Sequence, residues 1–268
     1  MKSYSRVLSI AGSDSGGGAG IQADLKTFAA CGCFGMSVVT AITAQNTCGV
    51  DDIHTIPTAS IAAQIRAVLD DIGADAVKIG MLHSAEVINT VADNLRSSSC
   101  GSIVVDPVMV ATSGDRLIEE SAVVTLKREL LPLATLITPN IAEAEIMTGK
   151  NIRTQADMET AAVHLRNEFG INVLLKGGHL EDDALVDIML ATAAKRPLFF
   201  PNRRIDTRNT HGTGCTLSSA ITAFMAQGKT LAEAVDAGEK YLHAAIAAGA
   251  GYSIGKGHGP VHHFHRFW

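Results

Sequence analysis

Apolar and polar positions divide the chain into short hydrophobic runs that alternate with amphipathic stretches. The hydrophobic runs are continuous, which is typical of strands buried on both faces of a parallel sheet. They predict strands at residues 7–11, 38–44, 76–79, 103–106, 135–138 and 173–176. Apolar residues spaced along one helical face predict helices at residues 21–30, 60–72, 87–95, 121–131, 154–169 and 217–225.

The alternation of strands and helices predicts the fold class. Segments 184–190 and 198–205, separated by Lys195, Arg196 and Pro197, predict an antiparallel hairpin at a sheet edge. Thr230 and Glu233 form a capping box that opens a last helix. Since no linker, repeat or low-complexity tract interrupts the pattern, we expect one α/β domain over residues 1–268. Its architecture would be a doubly wound, mostly parallel central sheet covered by helices on both faces.

Charge and cysteine content narrow the class of function. The net charge is −5, lysine and arginine are scattered, and aromatic residues make up 4% of the chain, so nucleic acid and anionic membranes are not expected partners. No apolar run reaches the roughly 18 residues of a membrane span, and the first residues do not resemble a secretory signal. Five cysteines without a Cys-x-x-Cys pair indicate a reducing compartment. We therefore expect a cytoplasmic protein.

The segment 209–217 predicts an anion site. A Gly-Thr-Gly turn leads directly into an apolar helix, whose first N–H groups lack acceptors and whose dipole favours negative charge. Cys215 lies in the first turn, where we expect a lowered thiol pKa. Three roles stay open for this thiol: packing at a helix start, nucleophilic catalysis with His211, or action as a base or charge stabiliser in phosphoryl transfer.

The ends of the other predicted strands supply further candidate site residues. Lys176 precedes two glycines, which favours close approach of a ligand. Asn140 and Glu143 lie at a predicted helix start, where the carboxylate either complements the helix dipole or holds Mg²⁺ through water.

Three other motifs are interpreted as structural. The G-x-G-x-x-A pattern at residues 18–23 lacks an acidic residue after the second strand, which speaks against a dinucleotide site. The Gly-Lys-Thr at residues 228–230 has neither the strand nor the earlier glycine of a phosphate-binding P-loop. The C-terminal histidines are interpreted as packing and surface residues: His258, His262, His263 and His265.

The order of motifs along the chain resembles a known family. The motifs are residues 11–24, 43–46, 105–109, 138–140, the Lys-Gly-Gly-His of 176–179, the His-Gly-Thr-Gly-Cys-Thr of 211–216, and 255–261. Together they are similar to the hydroxymethylpyrimidine/phosphomethylpyrimidine kinases of thiamine biosynthesis, within the ribokinase-like superfamily. The resemblance implies a ribokinase-like fold. It also implies two successive transfers of the ATP γ-phosphoryl group, first to 4-amino-5-hydroxymethyl-2-methylpyrimidine and then to its monophosphate.

The same resemblance implies roles for particular residues. Gln45 would hydrogen-bond the pyrimidine, in a pocket shaped by Gly12, Asp24, Met81 and Val108. A glycine-rich flap would cover the substrate.

The resemblance also implies which residues would contact the phosphates and the metal. The moving phosphate would be held by Gly212, Thr213, Gly214 and Cys215. Lys176 would neutralise charge on the β- and γ-phosphates, with Asn140, Glu143 and His211 also contacting ATP. Asp106 and Glu143 would support Mg²⁺.

Two alternatives remain beside this hypothesis. One is a pyridoxal kinase of the same family, and the other is a non-catalytic protein that binds a vitamin or nucleotide. Gln45 favours the aminopyrimidine, because a site built to bond a ring amine rejects analogues that lack it. The family also implies a homodimer.

Overall fold

In the computed structural model, which describes residues 2–109, 118–178 and 184–268, nine strands of the described chain form one sheet. The strands are β1 Arg6–Asp14, β2 Phe34–Gln45, β3 Val50–Thr55, β4 Ala76–Ile79, β5 Ser102–Val105, β6 Leu136–Ile137, β7 Asn172–Leu175, β8 Ala184–Leu190 and β9 Leu198–Arg203. Their order is β3-β2-β1-β4-β5-β6-β7-β8-β9.

The six central strands lie in the order β2, β1, β4, β5, β6 and β7 and pair in parallel, whereas the strands at both edges of the sheet pair antiparallel. The hairpin of β8 and β9 closes one edge, as the sequence predicts. The other edge, β3, was not predicted. Its residues are exposed or half-buried, so it lacks the apolar run by which buried strands are recognised.

Helices cover both faces of the sheet, which confirms the predicted fold class. Helices α2 to α6 pack on one face around residues such as Leu8 and Val105, while α1, α7 and α8 pack on the other around Val7 and Val104. The helices are α1 Gly20–Ala30, α2 Thr58–Leu69, α3 Ala85–Arg96, α4 Glu120–Thr125, α5 Ile141–Thr148, α6 Gln155–Phe169, α7 Thr213–Ala226 and α8 Leu231–Gly249.

Local sequence signals fix most helix starts. The hydroxyl of Ser84 accepts the N–H of the third residue of α3, and capping boxes open α5, α6 and α8. The helix expected over residues 121–131 is present as a continuous helical segment, but only its first part is α-helical. α4 continues into a π-helical turn, Leu126–Leu130, and a 3₁₀ turn, Leu131–Leu133. Pro132 lies in the 3₁₀ turn and has no N–H to donate, so an α-helical hydrogen-bond ladder could not continue through it.

Hydropathy gives one further property of the fold. None of the helices within residues 2–109, 118–178 and 184–268 combines the length and apolar character that a bilayer crossing requires.

Candidate active site

The anion site is built at the start of α7. Gly212 caps the helix with a φ of 77°, a left-handed conformation that favours glycine. The first bond of the helical ladder runs from Thr216 N to Gly212 O, at 2.9 Å. The N–H groups of Gly214 and Cys215 precede that bond and so have no acceptor within the helix. They are donors available to an anion, as the motif predicts.

The glycine-rich loop between β1 and α1 is fastened to this helix start by Asp14. The side chain accepts backbone N–H groups of Gly16, Gly18 and Ala19 at 2.8, 3.0 and 2.7 Å, and its Oδ2 lies 2.8 Å from His211 Nε2. Burial favours the neutral acid, but the hydrogen bonds from His211 and the backbone outweigh it and lower the pKa of Asp14. The loop is therefore tied to the start of α7, and its expected role as a flap over the substrate stays a prediction.

Close packing joins the loop and the helix start further. A methyl group at Gly212 would overlap the carbonyl oxygen of Gly18, and one at Gly18 would overlap the ring of His211. The imidazole of His211 is buried and binds Asp14. Its predicted role toward ATP stays a prediction.

Asp106 and Lys176 form an ion pair at the ends of β5 and β7. Lys176 Nζ lies 3.0 Å from Asp106 Oδ1, and the hydroxyls of Thr138 and Ser218 donate to the two carboxylate oxygens, each at 3.2 Å. Burial opposes both charges. The Coulombic attraction between the partners outweighs it, lowering the pKa of Asp106 and raising that of Lys176.

Glu143 completes the charged group. It forms the predicted capping box with Asn140: its Oε2 accepts Asn140 N at 2.8 Å, and Asn140 Oδ1 accepts Glu143 N at 2.9 Å. Burial raises the pKa of Glu143 to about 7; Lys176 opposes this rise, and the negative charge of Asp106 adds to it. When Asp106 and Glu143 are both ionised, their two negative charges therefore exceed the single positive charge of Lys176.

Gly214 brings the anion site and the charged group together. A Cβ atom built on Gly214 would lie 3.4 Å from Lys176 Nζ and 3.6 Å from Asp106 Oδ2. An anion on the N–H groups of the helix start would therefore also meet the lysine. The sequence predicted both parts, and the fold places them side by side.

Cys215 differs from its sequence-based expectation. The thiol was expected to have a lowered pKa, but burial raises its pKa to about 11, although the positive charge of Lys78 acts in the other direction. The expectation considered the helix dipole and omitted desolvation, which is the larger effect here. At neutral pH the thiol is protonated.

Asp24 and Lys78 form a buried ion pair beneath the site. Lys78 Nζ lies 2.9 Å from both carboxylate oxygens of Asp24, which also accept hydroxyl groups of Ser9 and Ser219 at 2.6 and 2.7 Å. Both side chains of the pair are fully buried. Asp24 was predicted to shape the substrate pocket, yet it lies behind the cavity wall, while Lys78 lines it.

A cavity of about 640 Å³ joins these groups. Apart from Asp24, the predicted site residues all line it: Gly12, Gln45, Met81, Asp106, Val108, Asn140, Glu143, Lys176, His211, Gly212, Thr213, Gly214 and Cys215. His179, in the motif after β7, lies outside the described residues.

One end of the cavity is lined by Met81 and Val108 together with Gly12 and the polar Gln45. A Cβ atom on Gly12 would lie 2.5 Å from Met81 Cε, so a larger residue there would displace the end of the Met81 side chain. Gln45, at the end of β2, has its Oε1 3.1 Å from Thr43 Oγ1, which orients the amide at the pocket rim. This end fits a small flat ligand with a polar edge.

The opposite end was missed by the sequence reasoning. Leu217, Leu242 and Ile246 provide an apolar wall from α7 and α8, with Glu239 and His243 beside it. These residues lie on helical faces whose apolar pattern is that of core residues, so no sequence motif indicates that they belong to a site. Lys78, by contrast, could have been recognised from the sequence. It is a lysine inside the apolar strand β4, and a buried lysine requires a charged partner.

The C-terminal histidines take part in packing. His263 Nε2 lies 3.2 Å from Thr216 Oγ1, and the hydroxyl of Tyr241 donates to His263 O at 2.6 Å. Burial lowers the pKa of His263 to about 3, so its ring is neutral.

Comparison with known proteins places the chain in a family. A family model for phosphomethylpyrimidine kinase matches residues 14–262. The hydroxymethylpyrimidine/phosphomethylpyrimidine kinase of Rhizobium meliloti is 53% identical over 262 residues, 97% of each chain. Among solved structures, phosphomethylpyrimidine kinase from Clostridium difficile has a TM-score of 0.79 at 45% identity, covering 90% of this chain and 99% of its own.

A second solved structure represents the alternative activity. The pyridoxal kinase of Staphylococcus aureus, in complex with AMP-PCP and pyridoxal, has a TM-score of 0.90 at 32% identity and covers 99% of this chain and 96% of its own. The fold is thus shared by both kinases, whereas the family model and the higher sequence identities select one of them. These matches confirm the resemblance carried by the motifs: the chain belongs to the phosphomethylpyrimidine kinase family and is a phosphotransferase.

Proposed function

We propose that this enzyme transfers the γ-phosphoryl group of ATP to hydroxymethylpyrimidine and then to the resulting monophosphate. One observation carries the proposal. The first turn of α7, whose N–H groups at Gly214 and Cys215 lack helical acceptors, lines the same cavity as the Lys176–Asp106 pair, and a Cβ built on Gly214 would lie 3.4 Å from Lys176 Nζ. A phosphoryl group can lie there between acceptor and donor.

The pocket at Gly12, Gln45, Met81 and Val108 supports a pyrimidine acceptor. The ring would stack on Met81, and the amide of Gln45 would bond its polar edge. The acceptor oxygen would then point toward the start of α7. Asp24 would act on this pocket only through Lys78, since it does not line the cavity.

The apolar wall supports a nucleotide donor. Leu217, Leu242 and Ile246 would cover the base, which places the phosphates toward Lys176 and Asn140. The relative from Staphylococcus aureus, which binds the ATP analogue AMP-PCP, supports ATP as the donor.

The transfer itself depends on position and charge. Lys176 would take negative charge on the β/γ bridge, and the N–H groups at the α7 start would hold the equatorial oxygens of the moving group. A protonated Cys215 lines this site as a neutral group at pH 7. The loose transition state of phosphoryl transfer needs little proton removal early, and a phosphate acceptor in the second step needs none.

Asp106 and Glu143 fit a magnesium ion. Mg²⁺ takes one or two carboxylates and completes its shell with waters and phosphate oxygens. The raised pKa of Glu143, to which Asp106 contributes, identifies a buried carboxyl pair that would gain from a further cation. When bound, Mg²⁺ would neutralise charge on the β- and γ-phosphate oxygens.

A pyridoxal kinase is the second candidate, favoured by the close structural match to that enzyme. One assay separates the two: purified protein, Mg-ATP and either hydroxymethylpyrimidine or pyridoxal, with products followed by mass. We expect pyrimidine monophosphate and then diphosphate. Absence of any phosphorylated pyrimidine would overturn the proposal, and monophosphate alone would overturn the second step. Gln45→Ala should raise KM for the pyrimidine and leave KM for ATP unchanged.

We also propose a cytoplasmic homodimer. The five cysteines are free thiols, which suits a reducing compartment. Phe34 and Ile42 on β2 are about half exposed, at 47% and 50%, and offer apolar surface to a second copy. Light scattering coupled to size-exclusion chromatography would give twice the 28.1 kDa chain mass for a dimer.

A further inference from the structure

Glu239 is a buried acid at the nucleotide end of the cavity. Its side chain, on α8, is 6% exposed, and its Oε2 accepts Asn202 Nδ2 at 2.9 Å. The other oxygen, Oε1, is buried, and no hydrogen-bond donor within the described residues reaches it. A buried oxygen without a donor is costly unless the group itself carries a proton.

Asp187, on β8, lines the same part of the cavity, close enough that its carboxyl group acts on the pKa of Glu239. Burial first, and then this carboxyl group, raise the pKa of Glu239 well above its ordinary value. Two carboxyl groups in contact do not both ionise readily, so they hold one proton between them. A proton on Glu239 Oε1, donated to Asp187, explains why that oxygen has no other donor.

Asp187 links this pair to the phosphate end of the cavity. Its Oδ1 accepts Gly177 N at 2.7 Å, and a methyl group on Gly177 would overlap the carbonyl oxygen of Val186. The backbone of Gly177 is therefore held on β8, directly after Lys176. The negative charge of Asp187 also contributes to the raised pKa of Lys176.

We propose that Glu239 is a positioning residue which, by sharing one proton with Asp187, keeps Asp187 bonded to Gly177 and so holds Lys176 at the phosphate site. The inference rests on the proposed role of Lys176. Loss of the proton to solvent would leave two buried negative charges in contact. Their repulsion would move Asp187 away from Gly177 and draw Lys176 from the phosphate.

The charged groups around the pair come from three neighbouring segments. Lys176 after β7 favours the ionised form of Glu239 and opposes the effect of Asp187. Within the part of the chain that the structure describes, the remaining titratable or charged side chains near this wall are Arg203 and Arg204 at and after the end of β9, both exposed, and His243 one turn further along α8. A pH effect must therefore be assigned by substitution of Glu239 itself.

Glu239→Gln tests the proton directly. Its amide can accept Asn202 Nδ2–H and donate N–H to Asp187, but it cannot ionise. We expect kcat/KM for ATP within about threefold of wild type at neutral pH. As the pH rises through the pKa of the pair, kcat/KM of wild type should fall, and Glu239→Gln should lack this limb, keeping only the decline from groups such as Cys215, whose pKa is about 11.

Glu239→Ala removes the donor altogether. We expect about a tenfold loss of kcat/KM for ATP with KM for the pyrimidine unchanged, because a hydrogen bond to a charged group is lost. Asp236→Asn removes an exposed carboxylate from the same helix, and is expected to behave as wild type. An alkaline limb in Glu239→Gln identical to that of wild type would overturn the proposal, as would wild-type kcat/KM in Glu239→Ala.

Two measurements separate failure of this inference from failure of the proposed function. Calorimetric binding of Mg-ADP does not require the pyrimidine, so its pH dependence in wild type and Glu239→Gln tests the pair even if another acceptor is used. Lys176→Met is expected to weaken Mg-ADP binding about tenfold or more. Unchanged binding in Lys176→Met would refute the role of Lys176 and, with it, the inference.

Discussion

Replacing Gly214 by alanine should separate activity from stability. Gly214 lies in the first turn of α7 without a left-handed φ, so alanine is compatible with its backbone. Its Cβ would make ordinary van der Waals contacts, 3.4 Å from Lys176 Nζ and 3.6 Å from Asp106 Oδ2. Alanine in a helix is about 0.5–1 kcal/mol more favourable than glycine. We expect a Tm equal to or about 1–4 °C above that of wild type.

The same methyl group would occupy the proposed position of the phosphate. A phosphoryl oxygen bound to Lys176 needs an N···O distance of about 2.8 Å and must also reach the N–H of Gly214. The new carbon atom excludes that oxygen. Loss of one such contact in other enzymes costs about 10²–10³ in kcat, or about 2.7–4 kcal/mol. We expect a loss of at least about 10²-fold in kcat.

The assay is ADP release in the presence of hydroxymethylpyrimidine, with thermal unfolding followed by circular dichroism. Gly251→Ala is the matched control, because a Cβ there meets open space and Gly251 does not line the cavity. Turnover by Gly214→Ala within about threefold of wild type would refute the placement of the phosphate at the α7 start. A fall in Tm of more than about 5 °C would instead refute the claim that the fold accommodates the methyl group.

Two further predictions concern buried groups. With a pKa of about 11, Cys215 should react with iodoacetamide slowly at neutral pH, and the rate should rise about tenfold per pH unit toward that pKa. Peptide mass mapping would measure the rate, with the exposed Cys48 as control. A rate that reaches its plateau near pH 7 would contradict the conclusion that burial raises the pKa of this thiol. Lys78→Met should lower the free energy of unfolding by about 3–5 kcal/mol, because it leaves the Asp24 carboxylate buried without its cation, and Lys78→Met/Asp24→Asn should regain part of the loss. Urea titrations would test this, and a loss below about 1 kcal/mol for Lys78→Met would show that Asp24 is neutral or solvated.

Features set by local chemistry could be predicted from the sequence. The capping box of Asn140 and Glu143 follows from residue types three positions apart, and the anion site follows from glycines before an apolar helix. The ends of the parallel strands then gave Asp106 and Lys176, because parallel topology brings such ends to one edge. The sequence thus predicted which residues come together at this part of the cavity, and their role toward a phosphate stays a prediction.

Features set by tertiary burial could not be predicted. The thiol pKa of Cys215 depends on the groups packed over it, and the value rises because desolvation exceeds the effect of Lys78. The pairing of Glu239 with Asp187 joins a helix and a strand that are 52 positions apart, and neither residue belongs to a motif. Asp24 lies behind the cavity wall for the same reason: from helix α1 it pairs with a lysine on β4, and the one-dimensional pattern does not reveal this pairing.

The fastening of the glycine-rich loop has a consequence for affinity. Asp14 holds the backbone at Gly16, Gly18 and Ala19, and Gly18 is packed against Gly212. Glycine-rich segments have the largest conformational entropy to lose when they become ordered. Here that entropy is lost once, when the chain folds, and not again at each binding event. The ligand therefore meets a preorganised wall, and its contact energy is retained as affinity rather than spent on ordering the loop.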